Sequence, residues 1–180
     1  MRPEFTPFPK LSRFNREVIV TEKIDGTNAQ IVISDDGTNL WAASRSKYVT
    51  PEDDNHGFAR WAYGNADELL KLGPGSHFGE WWGRGVNKRY PGKEKTFSLF
   101  NTSRWGGNAI RPTCCDVVPV LWTGKMIDFD AFMCLHYLEA NGSVADPTCK
   151  NPEGIVIYHV PSKTLFKMTL DKNDEHKGTS

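Results

Sequence analysis

Hydrophobic and polar residues alternate with a period of two in the first third of the chain. Glu17–Lys23 (EVIVTEK) and residues 29–34 (AQIVIS) both show this alternation, which is typical of strands with one buried face. Asp25-Gly26 between them predicts a tight turn with a positive φ at the glycine, and a second turn (DDGT) leads to Leu40–Ser44. We therefore expect three consecutive strands that pair as a meander.

Helical spacing of apolar residues marks two later segments, residues 58–72 and 129–140, and each ends at a turn that contains glycine. Further strands are predicted at residues 77–82, 96–101, 117–122, 154–159 and 164–168. The last two flank a VPSK turn and form a predicted hairpin. Strands outnumber helices without a regular strand–helix alternation. We therefore predict an α+β fold of mainly antiparallel sheets flanked by helices.

Length and composition exclude several classes of protein. A chain of 180 residues is large enough for one well-buried domain, and we predict a single domain over residues 1–180. The 38% of hydrophobic and 24% of charged residues are ordinary for a soluble globular protein. No apolar run approaches the roughly 20 residues of a membrane span, and the first ten residues lack the apolar core of a signal peptide. We expect a cytoplasmic protein with no membrane partner.

Charge is balanced over the whole chain, with 22 basic and 22 acidic residues. A surface field that attracts polyanions is therefore not expected, and any contact with nucleic acid has to be local. The best local candidate is the basic stretch at residues 84–95 (RGVNKRYPGKEK), which a solvated loop explains almost as well. The four cysteines show no C-x-x-C spacing, so we expect reduced, structural thiols.

The octet at residues 21–28, TEKIDGTN, places Lys23 at the end of a β-branched strand, directly before the Asp25-Gly26 turn. A lysine at a strand end can be held rigidly over a pocket, where its free amine is a nucleophile for covalent catalysis. A surface lysine beside a turn explains the octet equally well. The octet alone therefore leaves both interpretations open.

Four other stretches place chemically useful side chains on predicted strands. Glu80 lies among bulky apolar residues (HFGEWWG), where a carboxylate needs a partner such as a ribose hydroxyl or a salt bridge. Phe100 offers a flat surface for a stacked base, or simply belongs to the core. Glu153 stands at the mouth of an apolar strand, where it can hold Mg²⁺ beside triphosphate oxygens. Lys167 lies within an apolar strand, where a cation is costly unless it meets an anion such as phosphate.

Together these segments form an ordered set of short motifs that covers nearly the whole chain. The motifs are KIDG from Lys23 to Gly26, SRS around Arg45, FGE ending at Glu80, SLF ending at Phe100, EGIV beginning at Glu153, and the strand that contains Lys167. This set resembles the covalent nucleotidyltransferase superfamily of polynucleotide ligases and mRNA capping enzymes. Thr27-Asn28 after the glycine is similar to the RNA ligase 2 family, whereas DNA ligases and capping enzymes usually have an arginine there.

The resemblance implies a nucleotidyltransferase (ATP-grasp-like) ligase core that uses ATP and Mg²⁺. Such an ATP-dependent RNA ligase forms a lysyl-AMP intermediate and seals a 5′-phosphate to a 3′-hydroxyl end. By resemblance, the roles of the residues are as follows: Lys23 is the nucleophile, Glu22 and Phe100 hold the adenine, Glu80 binds the ribose, Asn28 and Arg45 assist near the phosphates and strand ends, Lys167 binds the α-phosphate, and Glu153 serves the metal-dependent steps.

The resemblance favours RNA over DNA as the nucleic-acid partner. An ATP-dependent DNA ligase, a guanylyltransferase that uses GTP and a non-catalytic nucleic-acid-binding module of the same fold remain alternatives. The chain departs from the family in its last motif, where Leu165 or Thr169 occupies the place of a second lysine. The sequence also ends soon after this strand. We therefore expect no C-terminal OB-like domain, and either a minimal ligase or a partner protein that supplies the missing surface.

Overall fold

The computed structural model describes residues 2–107 and 111–171, and these form ten strands and four α-helices. The strands are β1 (Glu17–Lys23), β2 (Thr27–Ile33), β3 (Leu40–Ser44), β4 (Tyr48–Val49), β5 (Gly75–Trp82), β6 (Thr96–Leu99), β7 (Cys115–Val117), β8 (Val120–Lys125), β9 (Gly154–His159) and β10 (Thr164–Thr169). The helices are α1 (Phe58–Gly64), α2 (Ala66–Leu69), α3 (Thr102–Trp105) and α4 (Ala131–Asn141), with 3₁₀ turns at Leu70–Leu72 and Met126–Asp128. Among these elements, no helix is both long and apolar enough to cross a membrane.

The strands are divided between two sheets. The large sheet has the order β4-β3-β2-β5-β6-β7, and every pair in it is antiparallel except β6 with β7. The small sheet has the order β10-β9-β1-β8 and is antiparallel throughout. The predicted α+β class with mainly antiparallel sheets is confirmed.

The predicted meander of the first three strands is wrong in one pairing, because β1 does not pair with β2. β2 pairs with β3 as expected, but β1 lies in the small sheet between β8 and β9. Gly26 does not have the predicted positive φ. A Cβ atom there would instead lie 2.5 Å from the Trp81 carbonyl oxygen and 2.7 Å from the Trp82 Cβ. Glycine is thus needed because β5 passes directly against the segment that connects the two sheets.

Two predicted elements are divided in the structure. The helix predicted at residues 58–72 becomes α1, α2 and a 3₁₀ turn, with a break at Asn65. The strand predicted at residues 117–122 becomes β7 and β8, because the chain leaves the large sheet and enters the small sheet at Val118-Pro119. The predicted C-terminal hairpin is confirmed as β9 and β10. The polar tail after Asp171 lies outside the described residues.

One face of each sheet is covered by helices. The large sheet packs Ile31 and Trp81 against Phe58 of α1, and the small sheet packs Val20 against Leu138 of α4. A third apolar cluster lies where the remaining faces of the two sheets meet: Ile24, Trp82, Tyr90, Val118 and Cys149. Because strand side chains alternate between faces, the polar residues of β1 and β5 that face away from the helices are directed toward this junction.

Candidate active site

Lys23 is the last residue of β1, and its side chain lies on the face of the small sheet that is directed toward the large sheet. Its neighbour two residues before, Thr21, shares this face, whereas Val20 is buried against α4. Lys23 pairs with Gly154 of β9, and this register brings Glu153 alongside it. The Lys23 Nζ atom donates a hydrogen bond to Glu153 Oε2 at 2.6 Å, and the two side chains are 23% and 9% exposed. The amine is therefore held by a buried carboxylate while solvent still reaches it.

Glu80 approaches the same amine from β5 of the large sheet. Its two carboxylate oxygens accept hydrogen bonds from the Gly26 N–H and the Asn28 Nδ2, both at 3.0 Å. Burial raises the pKa of Glu80 to about 7, while the charge of Lys23 and the two hydrogen bonds lower this pKa and the charge of Glu153 raises it further. Since both charged groups influence Glu80, the three side chains form one cluster, and we call the region around it the catalytic space.

A polar chain of contacts connects Glu80 with the exposed rim of this space. The Asn28 Oδ1 accepts hydrogen bonds from the Nε and Nη2 of Arg45 at 2.8 and 2.5 Å. Arg45 lies in the exposed loop between β3 and β4. These contacts fix the orientation of the Asn28 amide, with its oxygen toward the guanidinium and its nitrogen toward Glu80. Arg45 thus presents a cation at the rim.

Glu22 is the neighbour of Lys23 in sequence, and its carboxylate is held by the loop that precedes β9, so its predicted contact with adenine stays a prediction. It accepts hydrogen bonds from the Ser143 hydroxyl at 2.5 Å and from the backbone N–H groups of Val144 and Ala145 at 2.8 and 3.0 Å. The side chain is buried, and this burial raises the pKa of Glu22. The structure therefore uses this carboxylate to attach the loop at residues 143–145 to β1.

Phe100 lies just beyond the end of β6, which stops at Leu99 and is shorter than predicted. The Phe100 N–H donates a hydrogen bond to the Phe78 carbonyl oxygen at 3.0 Å, so the two residues continue the pairing of β5 with β6. This register places Phe100 on the face of the large sheet that carries Glu80. Its ring is 42% exposed and open to a ligand.

Lys167 lies on β10, the edge strand of the small sheet, and pairs with Val156. Val156 in turn pairs with Thr21, so Lys167 is on the same sheet face as Lys23. The strand is less buried than its apolar sequence suggests, because the first four residues of β10, including Lys167, are exposed. Among the described residues, no acidic side chain forms an ion pair with Lys167, and its ammonium group is available to an anion.

Sequence patterns did not indicate the network that holds the KIDG turn. Arg89 donates hydrogen bonds to the Asp25 carboxylate at 2.8 Å and to the Asn151 carbonyl at 2.6 Å, and it also pairs with Asp171. The Tyr90 hydroxyl accepts a hydrogen bond from the Asp25 N–H at 3.0 Å. The partners are far apart in sequence, so only the tertiary structure reveals this network.

The basic stretch at residues 84–95 has most of its cations paired within the protein. Besides Arg89, the stretch contains Arg84, which pairs with Glu94 at 3.2 Å, and Lys93, which pairs with Asp116 at 2.9 Å. These contacts favour a structural role for the stretch over a nucleic-acid-binding patch.

The acidic groups near Lys23 suit a metal ion that arrives together with phosphate. Among the described residues, no three His, Cys, Asp or Glu side chains converge as a metal-binding group. Glu153 and Glu80 are the carboxylates beside the amine. Mg²⁺ is usually bound by one or two carboxylates together with substrate phosphates, so these two residues fit such an ion.

Comparison with known proteins decides the family. A family model described as RNA ligase matches residues 16–169. The chain belongs to the RNA ligase family. The family assignment confirms the resemblance found in the sequence, and the matched range contains all eight predicted site residues, from Glu22 to Lys167. No curated protein matches the chain.

Solved structures show the same fold as this RNA ligase family chain. Naegleria gruberi RNA ligase with ATP and Mn, in a mutant form, aligns with a TM-score of 0.62 and 19% identity over 86% of this chain and 50% of that one. The same enzyme with PPi gives the same values, and an apo mutant aligns with a TM-score of 0.62 and 18% identity. The chain therefore spans about half the length of these structures.

Proposed function

We propose that the protein is an ATP-dependent RNA ligase in which Lys23 takes AMP from ATP and passes it to the 5′-phosphate of an RNA strand. The observation that carries this proposal is the amine of Lys23, held at 2.6 Å from Glu153 and facing the buried Glu80. Membership of the RNA ligase family supports it. ATP in the structure of Naegleria gruberi RNA ligase supports the choice of nucleotide.

In the first step, the Lys23 amine attacks the α-phosphorus of ATP. A phosphorus–nitrogen bond forms while the bond to the leaving pyrophosphate breaks. The ammonium group has to lose a proton before it attacks, and Glu153 is positioned to accept it. Lys167, which is exposed on the same sheet face, neutralises the α-phosphate. Mg²⁺, held by Glu153 with phosphate oxygens, would offset the negative charge of the triphosphate.

In the second step, an oxygen of the RNA 5′-phosphate attacks the phosphorus of the lysyl-AMP, and the Lys23 amine is released. The 3′-hydroxyl of the other end then attacks the activated 5′-phosphate and expels AMP, which joins the strands. Arg45 supplies the cation at the rim where these phosphates enter, and Asn28 fixes its position. Phe100 stacks against the adenine, and Glu80 meets the ribose, since burial of its carboxylate favours a hydrogen-bonding partner.

The mass of the intact protein after incubation with ATP and Mg²⁺ tests the first step. The wild type should gain one AMP, and Lys23→Ala should gain none because the nucleophile is missing. Lys125→Ala, which removes an exposed lysine at the end of β8, is the matched control and should be labelled like the wild type. Labelling of the Lys23→Ala variant would overturn the assignment.

Further assays separate the proposed function from its alternatives. Stronger labelling by GTP than by ATP would indicate a guanylyltransferase. Preferential sealing of DNA ends over RNA ends, at one salt concentration, would indicate a DNA ligase. A folded protein that binds RNA but never gains AMP would be a binding module. We also propose that residues 16–169 suffice for adenylation.

A further inference from the structure

On one face of the large sheet, the side chains of β5 become progressively more exposed toward the start of the strand. On this face, Trp82 is 1% exposed, Glu80 8% and Phe78 57%. The neighbouring strand shows the same change, from the buried Ser98 to the exposed Phe100. Beyond the candidate active site, this face of β5 and the end of β6 therefore carry exposed aromatic side chains.

Three exposed aromatic residues, Tyr48, Phe78 and Phe100, belong to a single row across the strands. We call it the aromatic row, and it also contains the buried Ala43 and the half-buried Gln30. The register pairs each residue of the row with the next, and the last step is the hydrogen bond from Phe100 to Phe78. Neighbouring strands lie about 4.8 Å apart, so the four steps of the row span roughly 19 Å.

The aromatic row lies directly beside the candidate active site. Gln30 is two residues from Asn28 on β2, and Phe78 is two residues from Glu80 on β5. Two residues of a strand extend over about 6.7 Å, which is the spacing between the two rows. Arg45 contacts Asn28 near the Tyr48 end of the row, in the loop that joins β3 to β4. A ligand on the aromatic row is thus within reach of both the cation and the catalytic space.

The dimensions and chemistry of this surface suit single-stranded RNA. Stacked nucleic acid advances about 3.4 Å per nucleotide, so the three steps from Tyr48 to Phe78, roughly 14 Å, correspond to about four nucleotides beyond the AMP group on Phe100. Bases stack on exposed aromatic rings, and the Gln30 amide between the rings can hydrogen-bond to base edges or 2′-hydroxyls.

We propose, on the basis of the proposed ligase function, that the aromatic row binds the terminal nucleotides of the RNA strand that is joined. Bases stack on Phe78 and Tyr48, and Arg45 contacts the phosphate backbone, while Phe100 at the far end of the row remains with the adenine. The site therefore recognises the RNA end by stacking, with a single cation at its edge, and this agrees with the balanced charge of the chain.

Fluorescence anisotropy of a labelled, 5′-phosphorylated single-stranded RNA tests the proposal without requiring adenylation. Phe78→Ala and Tyr48→Ala should each weaken binding about tenfold, the usual effect of losing one base–aromatic stack. Tyr48→Phe keeps the ring and should bind like the wild type. Phe132→Ala, which removes an exposed ring on α4, is the matched control and should also leave the affinity unchanged.

Salt dependence distinguishes stacking from charge. Arg45→Ala should reduce the slope of log affinity against log salt by about 1, whereas Phe78→Ala and Tyr48→Ala should leave the slope unchanged. Phe78→Leu keeps apolar volume without an aromatic ring and should still lose affinity.

The proposal would be overturned if both alanine variants bound RNA as tightly as the wild type and unfolded at the same temperature. The same result is expected if the row binds a protein instead of RNA. RNA binding that depends on the row, in a protein that never gains AMP, would support the row while refuting the ligase function.

Discussion

Replacing Glu80 with glutamine should remove a pH dependence that burial builds into the fold. Burial raises the pKa of Glu80 from the ordinary value of 4.5 to about 7. The unfolded chain exposes this carboxyl group, which then titrates near its ordinary value. Between these two values the native state holds more protons than the unfolded state, so its stability falls as the pH rises. The contribution is fully present below the unfolded pKa and is lost as the pH passes the folded pKa.

The magnitude follows from the change in pKa. A rise from 4.5 to about 7, at about 1.36 kcal/mol per pH unit, corresponds to about 3 kcal/mol of unfolding free energy. The hydrogen bonds from Gly26 and Asn28 and the charge of Lys23 oppose this loss, but burial outweighs them. Because only 8% of Glu80 is exposed, solvent screening reduces the effect little.

Urea unfolding of the wild type and of Glu80→Gln, at about pH 5 and about pH 8, measures this effect. Titrating groups that both proteins share cancel in the comparison. We expect the difference in unfolding free energy between variant and wild type to change by about 2.5 kcal/mol, in favour of the variant, from the lower to the higher pH, because the unfolded carboxyl group is already largely ionised at the lower pH. A difference that stays constant between the two pH values would refute the reasoning.

Two further substitutions test the framework around the site. Gly26→Ala should lower the unfolding free energy by about 1–3 kcal/mol, because its Cβ would overlap the Trp81 carbonyl; equal stability in urea would contradict this. Its control is Gly64→Ala, where no atom lies within 4 Å and helix propensity predicts a gain of up to about 1 kcal/mol. Ser143→Ala should lower stability by about 1–3 kcal/mol, and more at high pH, where the buried Glu22 is ionised; a pH-independent loss in urea would count against this.

Local pattern predicted the strands well wherever one face of the strand is buried. β1, β3 and β9 have the predicted bounds, because a period of two in apolar residues is a property of neighbouring positions. The same pattern, with an ordered set of motifs, led to the family and to Lys23 at a strand end. Sheet membership did not follow from it, since a short turn after β1 is equally compatible with a hairpin and with a crossing between two sheets.

The sequence by itself determined most of the strands, the family resemblance and the residue types available for chemistry. Only the tertiary structure decided what each side chain meets. Lys23 and Glu153 are 130 residues apart, and strand register makes them neighbours. Glu22 and Ser143 are 121 residues apart, and the fold brings them into hydrogen-bond contact. Lys167 is exposed because its strand lies at a sheet edge. Contacts between distant segments depend on how strands pair, and local periodicity carries no information about that pairing.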